Sequence, residues 1–162
     1  MHSLAPTVAF AALTLAGGCG FDECPEGSRS IDQGQGGRHS PFQPAEEGEP
    51  RVLVVGNQGR PMFDDLALRV GGLGNFTDGP GTFPGFIEAR IGGEPVARST
   101  GFAFTRGGPE GTTELVDLRV IAWGAAEAIW GHEVEMVAEV TGPCATVRSS
   151  RAFPALRPGE RP

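Results

Sequence analysis

The stretch HEVEM, from His132 to Met136, is the strongest hint of metal chemistry in the sequence. It begins like the zinc-protease signature, in which two histidines four residues apart bind zinc from one face of a helix. Here Met136 stands where the second histidine should be, and apolar and polar residues alternate, which predicts a strand instead of a helix. A metal at His132 would need ligands from elsewhere, and after residue 19 the only other histidine is His39. We therefore expect His132 to lie at a solvated strand end.

Other catalytic signatures are also missing from the sequence. Asp64, Asp65 and Asp78 could donate oxygens to Ca²⁺, but they lack EF-hand spacing and have the composition of tight turns. All 13 basic residues are arginine, which excludes a Walker loop and a Schiff-base lysine. No GxSxG nucleophile elbow occurs. We predict no catalytic residue, no metal and no cofactor, and we expect the protein not to be an enzyme.

Aromatic residues are the best candidates for a binding surface. Phe76, Phe83 and Phe86 fall within one Gly/Pro-rich stretch, NFTDGPGTFPGF. Rings on such a loop can grip a peptide or a glycan, although a ring without a polar group more often fills the end of a core. Trp123 and Trp130, on either side of GAAEAI, are open to the same two roles.

Charge excludes one class of partner. The formal net charge is −7, and binding to a nucleic acid backbone depends on clustered basic side chains. We expect no nucleic acid partner.

The first 18 residues have the composition of an export signal. Residues 4–16 form an apolar run too short to span a bilayer, and Ala16 and Gly18 satisfy the small-x-small rule for cleavage before Cys19. The stretch LAGGC, residues 15–19, resembles the lipobox of bacterial lipoproteins, with Leu15 one position further upstream than in that pattern. The resemblance implies that Cys19 is acylated and that the protein is anchored to a membrane. In Gram-negative lipoproteins Gly20 at the next position implies sorting to the outer membrane; cleavage by ordinary signal peptidase is the alternative.

The cysteine count supports that interpretation. A lipid on Cys19 would leave Cys24 and Cys144 as a pair in an oxidising compartment. If these two bond, they close a loop of more than about 100 residues, for which the chain-entropy model gives at most about 4.7 kcal/mol. Free cysteines, or links to other molecules, are the alternatives.

Composition divides the rest of the chain. Residues 19–50 are dense in Gly, Pro, Glu, Gln and Ser and predict a flexible tether. Residues 51–155 predict one domain, and 156–162 a disordered tail. Within the domain, apolar residues alternate with polar ones, which is typical of half-buried strands. Such segments occur at 51–55, 66–70, 87–91, 96–99, 102–105, 116–120, 134–140 and 145–153.

These segments, separated by Gly-rich turns, predict an all-β fold of about seven or eight short antiparallel strands. An immunoglobulin-like two-layer sandwich fits that number, without antibody-type hallmarks. A two-residue turn at Gly142 and Pro143 would place Val140 opposite Ala145.

These features favour a lipid-anchored, non-catalytic envelope protein with a role in binding, adhesion or assembly, and with a protein or glycan partner. The alternative is an exported metal-dependent hydrolase that uses His132 with nearby carboxylates; Glu133 and Glu135 share its strand. Elemental analysis of the purified protein would separate the two hypotheses, because the second requires bound metal.

Overall fold

The regular secondary structure is almost entirely β-strand in the computed structural model, which describes Cys24 and residues 28–74, 76–99 and 101–160. The strands are β1 Ser30–Gln35, β2 Gln43–Pro44, β3 Arg51–Val55, β4 Pro61–Gly71, β5 Gly79–Thr82, β6 Gly85–Ile91, β7 Glu94–Ser99, β8 Phe102–Gly107, β9 Thr113–Ala122, β10 Glu133–Thr141 and β11 Thr146–Leu156. Single 3₁₀ turns lie at Pro109–Gly111 and Ala126–Ala128. No helix among the described residues has the length and apolarity needed to cross a membrane.

Seven strands close into a barrel in the order β4, β3, β11, β10, β6, β7 and β9, with β9 pairing back to β4. Six of these contacts are antiparallel, and the β3–β11 contact is parallel. The all-β prediction is confirmed. The closed barrel is not clearly the immunoglobulin-like two-layer sandwich, because β4 and β9 pair directly and close one continuous sheet on itself.

Four further strands extend the barrel. β1 pairs with β4 and with the short β2, and β8 pairs with β9 and β5. β1 and β2 lie within residues 19–50, where the sequence predicts a flexible tether. Strand structure therefore begins at Ser30 among the described residues, ahead of the predicted domain start at residue 51. β1 has the composition of a linker, SIDQGQ, but Gln33 is buried and its amide donates hydrogen bonds to the Met136 carbonyl and the Ser149 hydroxyl, both at 2.9 Å.

The barrel interior holds the main apolar core. Every strand of the barrel contributes inward side chains, including Leu53, Phe63, Leu118, Met136 and Ile87, which are at most 2% exposed. Burial of this apolar surface drives folding. A second, smaller cluster of Phe42, Ala67 and Val116 covers the outer face of β4 and β9.

The two ends of the barrel are closed differently. At one, which we call the disulfide end, the turn between β10 and β11 meets the chain that follows β4. There the N–H of Cys144, in that turn, donates to the Leu73 carbonyl (3.1 Å). At the other, the Trp130 end, Ile129 is buried in the core and the Trp130 indole N–H donates to the Leu53 carbonyl (3.2 Å). The β3–β4 turn, residues 56–60, also lies at the Trp130 end.

The β10–β11 turn differs from the prediction. Thr141 pairs with Thr146 and Val140 with Val147, so the connection has four residues, 142–145, and the predicted pairing of Val140 with Ala145 is wrong by two positions. The Gly142 N–H bonds the Ala145 carbonyl at 2.8 Å, which a two-residue turn would not allow. A shift of two positions keeps the same side chains on the same face, so the alternating pattern alone did not distinguish these registers.

Candidate functional site

Two bulges bend β4 and β9 where the added strands leave the barrel. Asp65 in β4 (φ 55°) and Asp117 in β9 (φ 57°) both adopt left-handed backbone conformations. The pairing register shifts once after Phe63 and again after Leu66, as expected when two residues of one strand oppose one of the other. A bulge bends its strand and increases its twist. Asp65 therefore lies within a strand, where the sequence predicted a tight turn.

The loop 36–42, between β1 and β2, is fastened to these bulges. The Gly36 N–H donates to the Asp65 carbonyl (3.0 Å), and the Gly36 carbonyl accepts from the Asp117 N–H (3.4 Å). From β8, the Arg106 guanidinium donates to the carbonyls of Gly37 (3.2 Å) and Ser40 (2.8 Å). These bonds hold the loop against the outer face of β4 and β9.

A buried charge cluster positions Arg106 for that task. Glu114 of β9, with a side chain 6% exposed, accepts from Arg69 at 2.7 Å and from Arg106 at 2.8 Å. Burial raises the pKa of the Glu114 carboxyl, but hydrogen bonds from both arginines and their charges outweigh burial, so the pKa lies below its usual value. The carboxylate therefore stays ionised. Arg69 also lies 4.3 Å from the centre of the Phe42 ring.

An open groove of about 800 Å³ lies between the loop 36–42 and the β3–β4 turn. Its floor consists of outward-facing side chains of the paired strands, Met62 and Asp64 from β4 and Arg119 and Ile121 from β9. These positions alternate with buried core positions, so they follow from the same period of two that builds the barrel.

The groove combines arginines with apolar surface. Arg119 pairs with Asp64 (3.2 Å) and Arg38 with Asp117 (2.5 Å), and all four side chains are at least 30% exposed. Arg60 makes no ion pair with any residue that the structure describes. The groove thus has an excess of one positive charge in a protein whose net charge is −7.

Phe102, 49% exposed at the start of β8, lies at the edge of this groove beside its charged groups. Arginine binds carboxylates and other planar polar groups through several donors, and an exposed ring provides a face for stacking. Such a surface is suited to binding.

The predicted aromatic binding loop is packed against the barrel. Phe83 is 3% exposed and belongs to the core, and Phe76 packs against the same core. Phe86 is half-buried under the Arg98 guanidinium, 5.4 Å from the ring centre. Ligand binding by these three residues stays a prediction, and Phe83 has little surface to offer it.

The predicted disulfide between Cys24 and Cys144 is confirmed, with Cα atoms 5.4 Å apart. It joins residues 120 positions apart and fixes Cys24 at the disulfide end of the barrel. Cys19, the predicted signal peptide 1–18 and the start of the predicted tether lie outside the described residues.

The residues predicted as alternative metal ligands are scattered. His132 and Glu133 are exposed, and Glu135 accepts a hydrogen bond from the Ser150 hydroxyl (2.5 Å). Asp78 is exposed, far along the chain from the groove residue Asp64. Across the described part of the chain, no three His, Cys, Asp or Glu side chains converge as metal ligands would.

The two tryptophans have different positions. Trp130 fills the Trp130 end of the barrel beneath the Arg157 guanidinium, which lies 5.1 Å from its ring, whereas Trp123 is 59% exposed. Sequence reasoning left both roles open for each residue, and the structure assigns a core role to one of them.

Sequence reasoning missed Arg38, Arg60, Phe102 and Arg119 as groove residues. They belong to four segments that only the closed barrel brings together, and each segment alone has an ordinary strand or turn composition. The one local signal was the pair Asp64–Asp65 inside an otherwise apolar strand pattern, which is typical of a bulge.

Comparison with known proteins supplies no relative: no family model, no curated protein and no solved structure matches this chain.

Proposed function

We propose that the protein is a lipid-anchored, non-catalytic component of a bacterial envelope, attached through Cys19, that binds a protein or glycan partner in the groove on β4 and β9. The outer membrane is the proposed location, from the lipobox-like sequence and Gly20.

The observation that carries this proposal is the placement of the Cys24–Cys144 disulfide relative to the groove. Cys24 follows Cys19 by five positions in the sequence, and the disulfide holds it at one end of the barrel. The β3–β4 turn, which forms one wall of the groove, lies at the opposite end of β4, an 11-residue strand of roughly 30 Å. An anchor at Cys19 would leave the groove directed away from the membrane.

The disulfide also supports export. Stable disulfides form in oxidising compartments and are rare in the reducing cytoplasm. The chain closes a loop of 120 residues with this bond, so its removal should lower stability by at most about 4.9 kcal/mol in the chain-entropy model.

Mass spectrometry of the mature protein tests the anchor. We expect an N-terminal cysteine that carries acyl chains, and expect the Cys19→Ser variant to lose both the added mass and its sedimentation with membranes. An unmodified Cys19 in envelope-derived protein would overturn the anchor while leaving the groove proposal intact.

Screening on glycan and peptide arrays tests the groove. We expect binding to one class of probe that Phe102→Ser and Arg119→Gln each weaken at least about tenfold. Arg148→Gln is the matched control, because Arg148 is an exposed arginine on β11, away from the groove. Equal binding by all three variants would show that the groove is not the site.

A further inference from the structure

Arg51 is an arginine on the inner side of the fold. It begins β3, where exposed Val52 alternates with buried Arg51 and Leu53, so Arg51 shares a face with a core residue. Its side chain is 7% exposed. A charge in such a place is costly unless it is paired and hydrogen-bonded.

The protein partners of Arg51 do not meet that need. Its single ion pair with a described residue joins Nη2 to a Glu49 carboxylate oxygen at 3.9 Å, beyond hydrogen-bond distance. That oxygen already accepts the Glu46 backbone N–H at 3.2 Å, and the Glu49 side chain is 44% exposed. The other terminal nitrogen, Nη1, is buried with no hydrogen-bond partner among the described residues. One strong donor is therefore left over.

Arg51 lines a small cavity of about 20 Å³ in the seam between β1 and β11. β11 pairs with β3 only at Ala155 and Leu156. Closer to the start of β11, the Gln33 amide of β1 bridges the seam by donating to the Ser149 hydroxyl of β11 and to the Met136 carbonyl of β10. A cavity of this volume holds about one water molecule or one monatomic ion.

Of the charged side chains around the cavity, that of Arg51 is the most deeply buried. Arg151 of β11 also lines the cavity. Burial lowers the pKa of the Arg51 guanidinium, the charge of Glu49 raises it, and the charge of Arg151 lowers it. The two lining carboxylates, Glu46 and Glu49, are exposed, so solvent screens them. Water would satisfy the free donor, but it carries no charge to offset the buried Arg51 guanidinium, which has no described carboxylate within hydrogen-bond distance.

We propose that this cavity is a binding site for a single monatomic anion, a halide such as chloride, which accepts a hydrogen bond from Arg51 Nη1 and offsets the charges of Arg51 and Arg151. Bound there, the anion would link β3 to β11 across the seam. This inference is independent of the groove and of the anchor.

Thermal unfolding in different sodium salts tests the site, with chloride and bromide as probes and gluconate as a large anion at matched ionic strength. We expect the Tm of the purified protein to rise with chloride and with bromide more than with gluconate, because an ion that binds only the folded state stabilises it by mass action. An equal response to all three salts would overturn the proposal and leave water as the occupant.

Two variants locate the effect. Arg51→Met should abolish the halide-specific rise in Tm, and Arg151→Gln should move its midpoint at least about tenfold higher in chloride. Arg148→Gln, an exposed arginine on the same strand as Arg151, should respond like the wild type. If Arg51→Met does not fold, Arg151→Gln decides alone: an unchanged chloride midpoint contradicts the site. Bromide-soaked crystals should show an anomalous peak beside Arg51 Nη1, and a water there with no bromide signal would also overturn it.

Discussion

Glu114 and Arg51 are both buried charges, yet their surroundings differ. Glu114 is held between two arginines at 2.7 and 2.8 Å, whereas Arg51 has a carboxylate at 3.9 Å and one donor without a partner. The Glu114 cluster fastens the loop 36–42 and so forms one wall of the groove. Arg51 lies instead at the seam of the barrel. Glu114 and Arg51 are thus buried to a similar extent, but only Glu114 has charged partners within hydrogen-bond distance.

Removing Glu114 should have the largest effect on this comparison. Glu114→Ala leaves Arg69 and Arg106 without their shared carboxylate, and breaking a buried pair typically lowers stability by 3–5 kcal/mol. We expect a loss of about 3 kcal/mol, at the low end because both arginines are about one-quarter exposed. Urea denaturation measures it, and a loss under about 1 kcal/mol would mean that the cluster is no better satisfied than Arg51.

Acidification should remove the same contribution gradually. The pKa of Glu114 is lower in the folded protein than the value of about 4.3 in an unfolded chain. The resulting stability is therefore fully present above the unfolded pKa and is lost as pH falls through the folded pKa. Unfolding free energies from about pH 6 down to about pH 3 should fall more steeply for the wild type than for Glu114→Gln. Parallel curves would contradict the direction of the shift.

Replacing Arg51 should act in the opposite direction. In chloride-free buffer, Arg51→Met removes a poorly paired buried charge and keeps most of the side-chain volume. We expect the free energy of unfolding to stay level or to rise by about 1 kcal/mol, since apolar residues often replace buried ion pairs without loss. A fall of more than about 2 kcal/mol in that buffer would show that Arg51 is already well satisfied by the protein.

Truncating Arg38 should have the smallest effect on stability. Its ion pair with Asp117 is exposed, so Arg38→Ala should change the unfolding free energy by less than about 1 kcal/mol. Binding of an array-identified ligand should still weaken, because Arg38 lines the groove. A larger loss of stability would show that Arg38, like Arg106, holds the loop 36–42 in place.

Local periodicity predicted the strands with one apolar face, such as β4, β9 and β10, because half-buried strands alternate along the sequence. It missed β1, β2 and β5: β1 is held by the hydrogen bonds of Gln33, β2 has only two residues, and β5 is the turn-like sequence GPGT. Barrel closure was also out of reach, since the parallel β3–β11 contact and the β4–β9 pairing join distant segments. The Cys24–Cys144 pair followed from counting cysteines, whereas acylation of Cys19 stays a prediction.

The disulfide also determines how the fold bears mechanical load. Tension on the chain ahead of Cys24 passes through the sulfur bridge to the β10–β11 hairpin, whose nine residue pairs lie side by side. With the bridge reduced, the same pull would act first on Ser30 and on the six residue pairs between β1 and β4. Reduction would therefore move the load from the β10–β11 hairpin to the first strand of the fold.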